Sequence, residues 1–98
     1  MIDVLNTKEE LSGYGVTKKP KNFYYIVGKS DVRGYNRVIT IYVMAKNGEP
    51  YRLGYTHVNT ASYNGDTSEA KRVVREVYGY KMDGYTFVDK SINMRELL

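Results

Sequence analysis

The sequence predicts an α+β fold: a three- to four-stranded antiparallel sheet with one main amphipathic helix, over about residues 67–78, packed on its apolar face. Three observations carry this. Residues 23–58 are rich in aromatic and β-branched side chains broken by turn residues, the signature of successive strands. Ala70, Val73, Val74, Val77 and Tyr78 recur at i, i+3, i+4, i+7 and i+8, one apolar stripe on a helix. The apolar face of the sheet and the apolar stripe of the helix can bury each other as the two layers of an α+β domain.

The 98 residues make one domain, 1–98, large enough for a modest core. Residues 1–22 read as a short helix and a basic arm. Thr7 and Glu10 have capping-box spacing, so a helix near 8–12 is expected, ended by Gly13 and Gly15. Residues 16–22, with Pro20 and three lysines, read as extended arm or loop. Residues 23–29 and 37–45 are strands joined by a loop, and 49–58 return after Lys46-Asn47-Gly48. A two-residue Asn47-Gly48 loop would set Ile39, Ile41 and Val43 beside Thr56, Gly54 and Arg52. A three-residue loop with Gly48 left-handed pairs Val43 with Tyr51, Ile41 with Leu53 and Ile39 with Tyr55, making one face uniformly apolar. The second register is the expected one.

Asp66 is the expected N-cap of the main helix, with Glu69 three positions on, and Gly79 its left-handed C-cap. Three valines lower its intrinsic propensity, so packing on the sheet must hold it. Residues 80–98 read as a late hairpin or single strand around Asp83-Gly84, then a tail.

Composition narrows function. There is no cysteine and a single histidine, His57, so disulfides, thiolate metal sites and multi-histidine sites are excluded. No apolar run reaches the roughly 18 residues that span a membrane, and the first residues lack a secretion signal's basic and apolar regions. A cytoplasmic location is expected. The nine glycines stand singly at turns and form no phosphate-binding motif. Glu69-x-Lys71 has the spacing of a nuclease element but lies on a helix. His57, on the apolar-face parity of the third strand, is expected to be a packing residue. No enzyme, cofactor or metal is expected.

The functional lead is charge. Residues 16–46 hold Lys18, Lys19, Lys21, Lys29, Arg33, Arg37 and Lys46 against one acid, Asp31, in a chain of formal net charge +4. Phe23, Tyr24, Tyr25, Tyr35 and Tyr42 are interleaved with them. Such a surface suits an anionic partner, by phosphate contact and base stacking or through tyrosine hot spots on a protein. The expected binding surface is Lys18, Lys19, Lys21, Tyr24, Lys29, Arg33, Tyr35, Arg37, Tyr42 and Arg52, with Tyr42 beside Arg52 as a stacking or cation–π pair. Lys71, Arg72 and Arg75 form a second basic group, expected to be largely self-paired through the Glu69–Arg72 and Arg72–Glu76 spacings on the helix.

The order of short helix, three antiparallel strands and a helix opening with Ser68-Glu69-Ala70-Lys71-Arg72 resembles the double-stranded-RNA-binding domain over residues 8–79. The resemblance is topological. Ala70 and Lys71 align with that family's helix-opening motif, its leading lysine pair and Gly-Pro-x-His loop are missing, and no site residues carry over.

The reading is a small non-enzymatic binding protein, an inhibitor or adaptor of the type phages and mobile elements encode. Its expected partner is a host nucleic-acid-handling or defence protein, or a nucleoprotein complex. The alternative is a module that binds RNA or single-stranded DNA through the basic-aromatic surface.

Overall fold

A computed structural model describes residues 2–59, 63–79 and 84–89. The elements are β1 (Ile2–Val4), α1 (Lys8–Gly13), β2 (Asn22–Lys29), β3 (Arg37–Met44), β4 (Pro50–Val58), α2 (Tyr63–Tyr78) and β5 (Thr86–Asp89). The α+β class and the main helix stand as expected. The sheet does not: it has five strands in the order β1-β4-β3-β2-β5, and it is mixed. β1 pairs antiparallel with β4. β5 runs parallel to β2, with Phe87 opposite Phe23. The cause is α2, whose length carries the chain back across the sheet before β5 begins, the crossover a parallel strand requires. β1 and β5 also flank the helix-strand-helix order that resembles the double-stranded-RNA-binding domain. Residues 80–83 of the hairpin alternative, and all of the tail beyond Asp89, lie outside the described residues.

α1 forms as its sequence dictates. The Glu10 N–H donates to Thr7 Oγ1 at 3.2 Å and the Thr7 N–H to the Glu10 carboxylate at 3.1 Å, a reciprocal capping box. At its end Gly15 turns left-handed (φ 91°), and the Val16 and Gly15 N–H groups donate to the Leu11 and Ser12 carbonyls, the Schellman pattern. Leu11 and Val16 are both buried. The arm that follows is tied down rather than free. Pro20 is buried, the Lys46 N–H donates to the Gly15 carbonyl, and the Thr86 N–H to that of Lys21.

The β3–β4 loop is the three-residue one. Gly48 has φ 85°. Its N–H donates to the Ala45 carbonyl at 3.0 Å, and the Ala45 N–H donates to that of Glu49 at 2.9 Å. Near the loop the expected register holds, with Val43 opposite Tyr51 and Tyr42 opposite Arg52. Beyond it a bulge intervenes. Leu53 is the extra residue, so Ile41 faces Gly54 and Ile39 faces Thr56, not Leu53 and Tyr55. A bulge shifts every later side chain to the other face. Thr56 and Val58 turn inward and are buried, while Tyr55 and His57 turn outward and keep their polar tips near water. Only glycine fits at 54, because a Cβ there would collide with the Asp3 backbone carbonyl of β1.

α2 packs over β4, β3 and β1. Ala70, Val73, Val74 and Val77 join Phe23, Tyr25, Ile39, Ile41, Val43, Leu53 and Val58 in the core, with Leu11 of α1. Gly79 (φ 99°) ends the helix, its N–H donating to the Arg75 carbonyl at 2.8 Å, the expected left-handed cap. The start is corrected: α2 begins at Tyr63, so Asp66 lies inside the first turn and does not cap it. There its carboxylate, 5% exposed, pairs with the Arg37 guanidinium at 2.6 Å.

At the other end of α2, Phe23 sits amid Tyr78, Tyr85 and Phe87, with ring centroids at 5.7, 5.2 and 6.1 Å. The Tyr78 hydroxyl is buried with no hydrogen-bond partner among the described residues, and burial pushes its phenol up to about 12. Burial also raises Tyr42 and Tyr85, with Arg52 and Arg75 pulling the other way. A phenol harder to ionise folded than unfolded leaves stability intact below the unfolded value of about 10 and erodes it above, since the unfolded chain then binds fewer protons. The urea midpoint is therefore expected to fall as pH rises from about 10 toward 12, and to fall less steeply in Tyr78→Phe. A midpoint that is flat over that range contradicts the buried phenols.

Candidate binding surface

Strand alternation divides the sheet. One face carries the core and both helices' buried residues. The other presents Tyr24 and Ile26 from β2, Val38, Thr40, Tyr42 and Met44 from β3, and Arg52, Tyr55 and His57 from β4, by the pairings Tyr24–Tyr42–Arg52, Ile26–Thr40–Tyr55 and Val38–His57. No helix covers this face among the described residues. Most of its side chains are half-buried against one another, the expected state of a sheet surface wetted on one side.

Its most distinctive feature is the row Tyr24–Tyr42–Arg52, directly opposed across three adjacent strands. At strand spacing it spans roughly 10 Å. Tyr42 is only 7% exposed while Arg52 is exposed, and the Arg52 charge acts on the Tyr42 phenol, partly offsetting the effect of burial. Asn6 Nδ2 donates to the Arg52 carbonyl at 2.7 Å, holding the strand backbone in place. An open depression of about 410 Å³ lies here, lined by Asn6, Tyr42, Pro50, Tyr51 and Arg52. Tyr51 in turn stacks on Tyr14 at 4.6 Å with the rings 5° from parallel.

The expected binding residues separate into two groups. Lys18, Lys19 and Lys21 lead into the start of β2, at the same end of the sheet as Tyr24, Tyr42 and Arg52. Lys46 of the β3–β4 loop joins them through its bond to Gly15. All four lysines are exposed, and none is in an ion pair among the described residues. Lys29, Arg33, Tyr35 and Arg37 lie at the opposite end, about 23 Å away along β2 at 3.3 Å per residue. The single continuous patch expected from the sequence is therefore not formed. Arg37 leaves the binding face: it lies on the helix side, half-buried and bound to Asp66.

His57 is also corrected. It stands on the uncovered face, not the apolar one, its Nδ1 2.8 Å from Ser30 Oγ and its ring near Tyr55 and Tyr35 at 5.6 and 6.1 Å. Ser30 Oγ is at the same time the acceptor for the Val32 N–H at 3.1 Å, so it shapes the 30–36 turn. No residue signal had linked Ser30 to His57, because the contact depends on the bulge. On α2, Arg72 pairs with Glu69 at 3.0 Å, the expected helical pairing. Among the described residues no group of three or more histidine, aspartate and glutamate side chains could hold a metal, and no helix is long and apolar enough to cross a membrane.

The chain matches no protein-family model, no curated protein and no solved structure.

Proposed function

We propose that the protein is a small non-enzymatic binding protein, acting in the cytoplasm as an inhibitor or adaptor that engages a host nucleic-acid-handling or defence protein. The observation that carries this reading is the row Tyr24–Tyr42–Arg52 on a sheet face that no helix covers among the described residues. Tyrosine and arginine are the residues that dominate interface energetics when they sit centrally. Lys18, Lys19, Lys21 and Lys46 lie exposed at the same end of the sheet, where rim charges steer an acidic partner and set the rate of encounter.

The same lysines favour the second reading, a nucleic-acid module. Stacking on bases requires an open ring face, and Tyr42 is 7% exposed while Tyr14 and Tyr51 are stacked on each other. This weighs toward a protein partner.

The test is capture from nuclease-treated lysate of the source cells at about 0.3 M salt, a range where binding built on phosphate contacts is strongly weakened. One discrete protein is expected, lost with Tyr24→Ala or Arg52→Glu and kept with Arg33→Glu at the far end. Recovery of heterogeneous RNA or DNA before nuclease treatment, and of nothing after it, overturns the proposal in favour of the nucleic-acid module.

A further inference from the structure

We infer that the depression lined by Asn6, Tyr42, Pro50, Tyr51 and Arg52 accepts a carboxylate from an acidic segment of the partner protein. This rests on the proposed binding function and names the chemistry of what is bound. Arg52 is exposed and has no ion-pair partner among the described residues, although Glu49 precedes it by three positions and Asp3 lies on the neighbouring strand. A free guanidinium offers a planar fork of donors that fits a carboxylate two-point. Tyr42, which lines the same depression, supplies a second donor, since a tyrosine phenol is protonated at neutral pH. Asn6, bonded to the Arg52 carbonyl, and Pro50 limit the freedom of the strand that carries the arginine, so less order must be imposed on binding.

Phosphate shares the fork-fitting geometry, but the surroundings favour carboxylate. A nucleic-acid strand adds bases that need ring faces, and around this depression Tyr42 is buried and Tyr51 is stacked on Tyr14. A volume of about 410 Å³ holds one acidic side chain with its flanking backbone. Lys18, Lys19, Lys21 and Lys46, at the same end of the sheet, can hold further acids of the same segment.

The probe is an N-acetylated, C-amidated hexaglutamate peptide titrated into the ¹⁵N-labelled chain at low salt. Saturable shifts are expected at Asn6, Tyr51 and Arg52, with affinity reduced at least tenfold in Arg52→Ala, less in Arg52→Lys, and unchanged in Arg33→Ala. Absence of saturable shifts, an equal loss in Arg33→Ala, or stronger shifts at the same residues from a dodecamer of thymidylate each overturn the carboxylate assignment. Capture of a protein that persists in Arg52→Ala, with a flat hexaglutamate titration, removes this inference and leaves the binding function standing. Hexaglutamate shifts centred on Arg52 support the inference even where lysate capture yields no protein.

Discussion

Arg37→Ala is expected to cost about 3–5 kcal/mol, read as a drop in the urea midpoint at unchanged slope. The Asp66 carboxylate is 5% exposed and faces the Arg37 guanidinium at 2.6 Å. Removing the cation leaves a buried anion without the guanidinium's countercharge, and the desolvation cost of that anion is then less well compensated. Asp66→Asn is expected to cost less, because the Arg37 side chain, 29% exposed, can turn toward water. That asymmetry identifies the mechanism: an exposed ion pair gives small and similar losses from either side. A domain of this length has only about 5–15 kcal/mol in total, so Arg37→Ala removes a large share of it. A loss below 1 kcal/mol would mean that the pair does not anchor α2 to β3.

Phe23→Ala is expected to be of comparable size, about 3–5 kcal/mol. Phe23 is fully buried, and its ring meets those of Tyr78, Tyr85 and Phe87. It therefore joins the end of α2, the approach to β5 and β5 itself to the centre of the sheet. Truncation opens a cavity between rings that cannot all close on it, and it removes edge-to-face contacts worth more than their area. The near-UV circular dichroism of the tyrosines should weaken along with the stability. Phe23→Leu, which keeps most of the volume, is expected to lose about 1.5 kcal/mol or less. Equal losses for alanine and leucine would show that the site is not close-packed.

Local chemistry was legible and strand-scale geometry was not. The Thr7–Glu10 box, the Gly79 cap and the α2 stripe each depend on residues within one or two turns, so spacing alone reveals them. The left-handed Gly48 identified the three-residue loop for the same reason. The bulge at Leu53 escaped because nothing within β4 requires it. Without it, Tyr55 and His57 would point beneath α2; with it, the smaller Thr56 and Val58 do. Gly54 was the one trace in the sequence, a strand glycine at the point where β1 approaches. β1 is three residues long, too short for a periodic signal. The direction of β5 depends on where α2 delivers the chain.

The same scale explains what happened to the basic patch. Reading charge along residues 16–46 treats neighbours in sequence as neighbours in space, but β2 is fully extended and carries Lys21 and Lys29 to opposite ends of the sheet. Asp66 offered a cap by type and position, yet the half-buried Arg37 of β3 has the stronger claim on its carboxylate. Of the ten residues expected to bind, Lys18, Lys19, Lys21, Tyr24, Tyr42 and Arg52 lie at one end. The Tyr42–Arg52 pair was expected from the sequence, and its extension to Tyr24 across β2 emerged only with the register.

The central claim is that the uncovered sheet face at this end meets a protein. A photo-crosslinking amino acid placed at position 24, on that face, and at position 72, on the outer side of α2, tests it in living source cells. The account expects one discrete protein adduct from position 24 and none from position 72. An adduct from position 72 alone, or crosslinks from position 24 to nucleic acid, would contradict it.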